Sequence, residues 1–327
     1  MSFTNWRVIA CLAIASSWLA LATAHHGPGT TGSGISTSSG ETVGKGKWSL
    51  ELLTSYTDLE SLSITQIENK ARSIGGDEAH LETLDYAFFE TFRLDYGVSE
   101  WFQFGFSIGW YSGQDLVEGE VREDGDFEIE SHGDVSGLTD LQINSRLRLA
   151  KGPYGTASLL FGIKFPTGED DESSDETGNT LEPSLQPGSG ASDFIFGIAW
   201  SAWITSRATA DASLQYTYRT EDNNFKIGDR IDAGVSLGYR LTGDNQSFPQ
   251  FHLFLEAIVF HLEENEEDGV DEINSGGTEL FLSPGLRARL TERLFFSVSP
   301  QFPVAQNLNS VQQETDYKVS VSLSYSF

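Results

Sequence analysis

The 327-residue sequence predicts an all-β fold, a transmembrane antiparallel β-barrel of about twelve strands in an up-and-down meander. Three observations carry the prediction. The N-terminus has the parts of a secretory leader. No later stretch approaches 18 consecutive apolar residues, which excludes a helical membrane span. The rest of the chain alternates apolar and polar residues with a period of two, segment after segment, as far as Phe327.

The leader comes first. Arg7 is the only charged side chain before residue 25, a largely apolar run follows from Val8 to Leu21, and Ala22-Thr23-Ala24 offers small residues for cleavage. A run of that length is short of the roughly 20 residues a spanning helix needs. Residues 1–24 are therefore expected to be a signal peptide. Cys11, the only cysteine, lies inside it, so the processed chain would carry no disulfide and no Cys-ligated metal. Residues 25–46 open His25-His26-Gly27-Pro28 and continue rich in Gly, Ser and Thr, which predicts a flexible periplasmic segment. His25 and His26 are weak candidates for a metal.

The barrel is expected over residues 47–327. Two loosely patterned strands fall at 45–56 and 83–96. Phe102, Phe104, Phe106, Ile108 and Trp110 then alternate with Gln103, Gly105, Ser107 and Gly109. The same alternation marks strands near 141–149 and 157–164. Segment 191–203 has apolar residues on both faces, which leaves its register open. Clean alternation returns near 208–217 and 231–240, is lost at 249–262, where again both faces are apolar, and returns near 280–290 and 294–302. The last strand sets Tyr317, Val319, Val321, Leu323, Tyr325 and Phe327 against Lys318 and four serines. Short links near 97–99, 150–154, 203–206, 242–248 and 290–292 alternate with long ones at 57–82, 112–135, 166–190, 219–226, 263–277 and 303–315. That segregation is the habit of a membrane barrel, with short periplasmic turns and long outer loops. Lipid leaves a sheet edge unbonded, so the strands must close on themselves. An even strand number puts both termini on the periplasmic side of an outer membrane.

Charge is distributed unevenly. Residues 112–135 hold nine acids and Arg122, while 166–190 and 263–277 hold seven acids each and no base. These links therefore account for −22 of the formal −28. Solvation of surface loops explains this plainly. A cation-attracting vestibule, or divalent ions bridging the acids to lipopolysaccharide, is the sharper reading. The polar phase of the strands is instead rich in bases: Arg93, Arg146, Arg148, Lys164, Arg240, Arg287, Arg289 and Lys318, against Asp95, Asp211, Asp232 and Glu256. These are the candidates for lumen ion pairs or for a constriction that tunes passage.

Three motifs stand in order: Gly133-Asp134 with Gly137-Leu138-Thr139-Asp140, then Lys164-Phe165-Pro166-Thr167-Gly168, then Gly188-Ser189-Gly190-Ala191-Ser192-Asp193-Phe194 followed by Gly197. Together they resemble the outer-membrane family named after the MetA pathway of phenol degradation. The resemblance implies a barrel that passes small solutes, hydrophobic or aromatic ones among them, and it implies no catalytic residues and no cofactor.

The expected function is thus an outer-membrane channel or transporter. A structural or adhesive barrel is the alternative, and a barrel enzyme such as a lipid hydrolase, or a metal-related exporter, is the more distant one. Neither His252 nor His261 has a serine two residues later, as a barrel phospholipase site would require. The expected partners are outer-membrane lipid and lipopolysaccharide, the barrel-assembly machinery through Phe327, and a small-molecule solute. Acidic loops without a basic patch exclude nucleic acid.

Overall fold

The computed structural model describes residues 34–74, 80–122, 124–243 and 247–327, so the expected leader, its cleavage site, His25 and His26 lie outside the described residues. The chain enters the sheet at β1 (Trp48–Leu59), then forms α1 (Ile64–Ile74) and the short β2 (His80–Thr83). There follow β3 (Tyr86–Gly97), a long β4 (Phe102–Val121), β5 (Phe127–Leu138), β6 (Leu141–Gly152), β7 (Gly155–Phe165), β8 (Asp193–Trp203) and β9 (Ala208–Arg219). After β10 (Phe225–Lys226) come β11 (Arg230–Arg240) and β12 (Gln250–Leu262). The hairpin β13 (Asn265–Glu267) and β14 (Val270–Glu272) precedes β15 (Gly277–Arg289), β16 (Leu294–Leu308) and β17 (Thr315–Ser326).

β5 and β6 both run antiparallel to β4, with Trp110 opposite Leu138 and Ser107 opposite Gln142, so they act as one barrel strand interrupted at Thr139-Asp140. Counted so, twelve strands among the described residues form a closed antiparallel barrel. The seam is β1 on β17, where Trp48 N donates to Phe327 O (2.8 Å) and Phe327 N to Trp48 O (3.0 Å). Each strand turns its apolar phase outward: Phe104, Ile143, Leu237 and Leu255 are all exposed. Aromatic belts flank that surface. Trp48 stacks on Tyr96 (4.5 Å) at the short-turn end, and Tyr56 meets Phe88 (5.0 Å) and Tyr317 (5.9 Å) at the long-loop end. The inward phase is small and polar, with Ser158, Ser236, Ser283 and Ser299 fully buried.

The two strands without clean alternation owe their ambiguity to apolar residues that face the lumen. In β8 the buried Ala199 points inward. In β12 Phe254 and Ile258 do, on either side of Glu256. Phe254 and Phe260 carry Arg287 and Arg230 over their rings, at 5.8 and 4.8 Å, so these phenyl groups are screened by cations instead of facing lipid.

The long links are also more ordered than their polar composition predicts. Residues 112–135 are a raised β4–β5 hairpin, and Val117, Val121, Phe127 and Ile129 on it pack on Ile67 and Ala71 of α1 and on Leu81. Leu181, from the link after β7, packs between Leu116 and Val135. Asn274 Nδ2 donates to His80 O (3.3 Å), tying the β13–β14 hairpin to β2 across the mouth.

The largest departure is at the N-terminus. Residues 25–46 were expected to form a flexible segment outside the barrel. Residues 34–43 instead lie inside it, several of them buried, while 25–33 fall outside the described residues. A Gly/Ser/Thr segment cannot build an apolar core of its own, but its backbone donors and acceptors still need partners. The polar lumen supplies them.

Candidate functional site

The N-terminal strap crosses the lumen from wall to wall. At its first described residue, Gly34 N donates to Ser236 Oγ on β11 (3.0 Å), and Arg287 Nη2 on β15 donates to Gly34 O (3.1 Å). The next three amides converge on one carboxylate: Ile35 N (3.0 Å), Ser36 N (3.1 Å) and Thr37 N (2.8 Å) all donate to Glu256 of β12. Successive N–H groups of this kind make an anion cradle, here filled by a side chain of the same molecule. Ser38 N then reaches Ser213 Oγ, Gly40 N reaches Ser201 Oγ, and Ser158 Oγ donates to Gly40 O (2.6 Å). On the opposite wall Thr156 Oγ1 donates to Glu41 Oε1, Arg146 Nη1 to Glu41 O (2.6 Å), and Val43 N to Gln103 Oε1 (2.7 Å). Gly40 is there for space: a Cβ would stand 2.3 Å from Thr156 O.

The sequence-derived lumen candidates all sit on inward positions, but they spread over tiers and do not form one ring. At the long-loop end Arg230 pairs with Asp232 (2.6 Å), Lys318 with Glu279 (3.6 Å), and Lys164 with both Asp140 (3.1 Å) and Asp193 (2.9 Å). A second tier, against the strap, holds Arg93 with Asp95 (3.0 Å), Asp211 bonded by Ser201, and Arg146, Glu256 and Arg287. Nearer the short turns, Arg148 stacks over Trp101 (5.2 Å). Arg240 donates to Ser206 O, and Arg289 to Glu292 O. His252 faces inward and His261 outward on the same strand, so they do not meet at one site.

The three sequence motifs converge at one point on the rim. Asp140 Oδ1 accepts from Thr167 N (3.0 Å) and Gly168 N (2.8 Å), and its Oδ2 accepts from Ser189 N (3.0 Å) and Ser189 Oγ (2.9 Å). Lys164 bridges Asp140 to Asp193. Gly168 packs so closely on Gly188 that a Cβ at 168 would lie 2.7 Å from its Cα. The motifs thus form a clamp that folds the 166–192 link back over the mouth. The signal for the clamp was in the sequence as spacing alone; the strap sockets Ser158, Ser201, Ser213 and Ser236 gave no signal beyond being polar-phase serines.

Above the mouth four carboxylates gather: Glu82, Glu118, Glu182 and Glu272. Burial, then the charges of Glu182, Glu118 and Glu272, push Glu82 well above the ordinary carboxylate range. Glu182 is raised by burial and by Glu272, against a smaller opposing effect of His80. His132 bridges Glu118 (3.1 Å) and Glu130 (3.4 Å) nearby. Among the described residues no cluster of three or more side chains has the geometry to hold a metal ion.

The family model described as "Putative MetA-pathway of phenol degradation" matches residues 70–308. No curated protein matches the chain significantly. Among solved structures, the COG4313 outer membrane channel from Pseudomonas putida F1 is similar at 11% identity and a TM-score of 0.61, covering 88% of this chain and 97% of that one. The NanC porin (8% identity, TM-score 0.43, 84% and 98% covered) and a TodX monoaromatic hydrocarbon channel mutant (11%, 0.48, 88% and 91%) resemble it more distantly.

Proposed function

The chain belongs to the MetA-pathway of phenol degradation family, and from that premise we propose that it is an outer-membrane channel for passive passage of small solutes, hydrophobic and aromatic ones among them. One observation carries the proposal: a closed barrel whose outside is apolar between two aromatic belts and whose inside is lined with serines and ion pairs. Lipid accepts the first surface, and solute in water accepts the second. The description of the P. putida structure as an outer membrane channel, and the aromatic pathway in the family's name, point the same way.

In this reading residues 1–24 are a leader, the acidic long loops face outward, and the strap enters from the periplasmic side. Divalent ions bridge the loop acids to lipopolysaccharide, and the assembly machinery takes hold of the last strand. The strap keeps passage slow while it is seated. Its hydrogen bonds, worth about 1 kcal/mol net each, roughly offset an ordering cost of about 1–2 kcal/mol per residue, so seating is reversible. Liposome swelling with purified protein tests the channel. Entry of small sugars or phenols faster than into protein-free vesicles is expected; no entry of any of them, with and without residues 34–43, overturns it.

A further inference from the structure

Between the strap and the wall formed by β1, β3, β4 and β6 to β9 lies a cavity of about 260 Å³. Its lining mixes two kinds of side chain. Leu53, Leu160 and Ile195 are inward-facing aliphatics, and Ile35 of the strap extends the apolar patch. Interleaved with them are Arg93, Arg146, Asp95, Glu51 and Gln103, with Arg146 directly across from Leu160 in the β6–β7 pairing and Glu51 two residues from Leu53 on β1.

The charges on the polar side are not evenly satisfied. Arg93 lies 3.0 Å from Asp95 and directly across the sheet from Glu51, so it serves both acids. Asp95 also accepts from Gln103, and Glu51 from Ser322. Arg146 is different. It is only 5% exposed, yet among the described residues it has no carboxylate within 4.0 Å. Its bond is to the carbonyl of Glu41, and its Nε has no partner. A guanidinium taken out of water needs an anion or a full set of acceptors to offset its desolvation. A carbonyl and an empty Nε leave that need unmet, at the edge of a cavity where an aliphatic side chain, Leu160, stands directly beside the guanidinium's strand position.

We propose that this cavity binds a small organic monocarboxylate, its charge on Arg146 and its apolar body against Leu53, Leu160, Ile195 and Ile35. At roughly 30 Å³ per water-sized unit, the space suits a solute of about ten non-hydrogen atoms or fewer. A planar carboxylate matches the guanidinium fork through two parallel hydrogen bonds. The inference rests on the lumen described above and not on permeation, so binding is read on the full processed chain in detergent micelles, with no membrane to cross.

Calorimetric titration with benzoate and with its neutral isostere benzamide is the experiment. Benzoate is expected to bind the native protein, with benzamide weaker by about tenfold or more. Arg146→Gln is expected to weaken benzoate by roughly ten- to a hundredfold, the loss of a hydrogen bond between charged partners, and to leave benzamide unchanged. Leu160→Phe, which keeps the guanidinium and fills the cavity, weakens both. Heat-modifiable migration on a gel reports that each variant is folded. Equal affinity for the two probes, no binding of benzoate, or benzoate binding that survives Arg146→Gln overturns the proposal. If Arg146→Gln does not fold, undiminished binding in Leu160→Phe overturns it alone. A barrel that binds benzoate but passes no solute sinks the channel and leaves this site standing.

Discussion

Asp140 holds a loop of some two dozen residues with a single side chain. Both its oxygens are used, and the donors come from the two ends of the 166–192 segment. Asp140→Ala leaves those amides without their acceptor and Lys164 with Asp193 alone, at an expected cost of about 2–4 kcal/mol to the loop's attachment. Limited proteolysis within 166–192 reads this, and a cleavage rate equal to the native one refutes it. At Glu82 the effect is one of pH. Its carboxyl is raised in the folded cap, so the folded state holds the proton more tightly than the unfolded chain does. The stabilisation it brings is complete below the ordinary carboxylate value and fades as pH rises through the raised one. The cap is therefore firmest in acid and loosens toward neutrality, as Glu82 and Glu182 come to face each other and Glu272 as charges. Amide exchange at residues 80–83 should quicken as pH rises above the ordinary carboxylate range, beyond the intrinsic base catalysis, and Glu82→Gln should flatten that excess. An identical slope in the variant would count against the cluster.

Among the elements, the twelve barrel strands were legible because lipid and water impose opposite demands on adjacent residues. Tyr317 to Phe327 shows that alternation without a break. Strand β12 resisted, since Phe254, Ile258 and Phe260 are apolar and yet face inward, under Arg287, Arg230 and Lys318. No periodicity distinguishes a phenyl screened by a cation from one in lipid. The strap was illegible for a different reason. It is held through its own backbone groups, by wall side chains, and Gly, Ser and Thr carry the same composition whether they form a linker or a threaded segment. Arg93, Arg146 and Glu256 were legible as inward charges, but their tiers were not, because height in the barrel depends on register between distant strands. The strap also yields a clean test, since the processed chain is expected to lack cysteine. Ser38→Cys with Ser213→Cys should lock it to the wall on oxidation. Conductance in a planar bilayer should be low when oxidised and rise on reduction, and deletion of 34–43 should raise it several-fold without any oxidant. Conductance insensitive to both changes would show that the strap does not limit passage.

For the whole molecule the governing asymmetry is the crown of acids on one end of a lumen whose charges are largely paired. Fixed negative charge at a mouth concentrates cations there, and screening shortens its reach to about 10 Å at 0.1 M salt. The reversal potential should therefore favour cations at low ionic strength and decay toward neutrality as salt rises. Replacing Glu263, Glu264, Glu266 and Glu267 with Gln should reduce the low-salt preference, and no change on that replacement would assign selectivity to the lumen instead. One feature reaches beyond passage. The strap leads through Gly44 and Gly46 directly into β1, and β1 is one half of the seam that closes the sheet. The stopper and the lock are thus consecutive on one thread. A cord tied to the first stave of a closed cylinder stays at the mouth of its own bore, so the stopper can lift and return without being lost. The length of that thread, and no outside partner, fixes the effective concentration of the stopper at its sockets, so the bore refills as fast as its own tether allows.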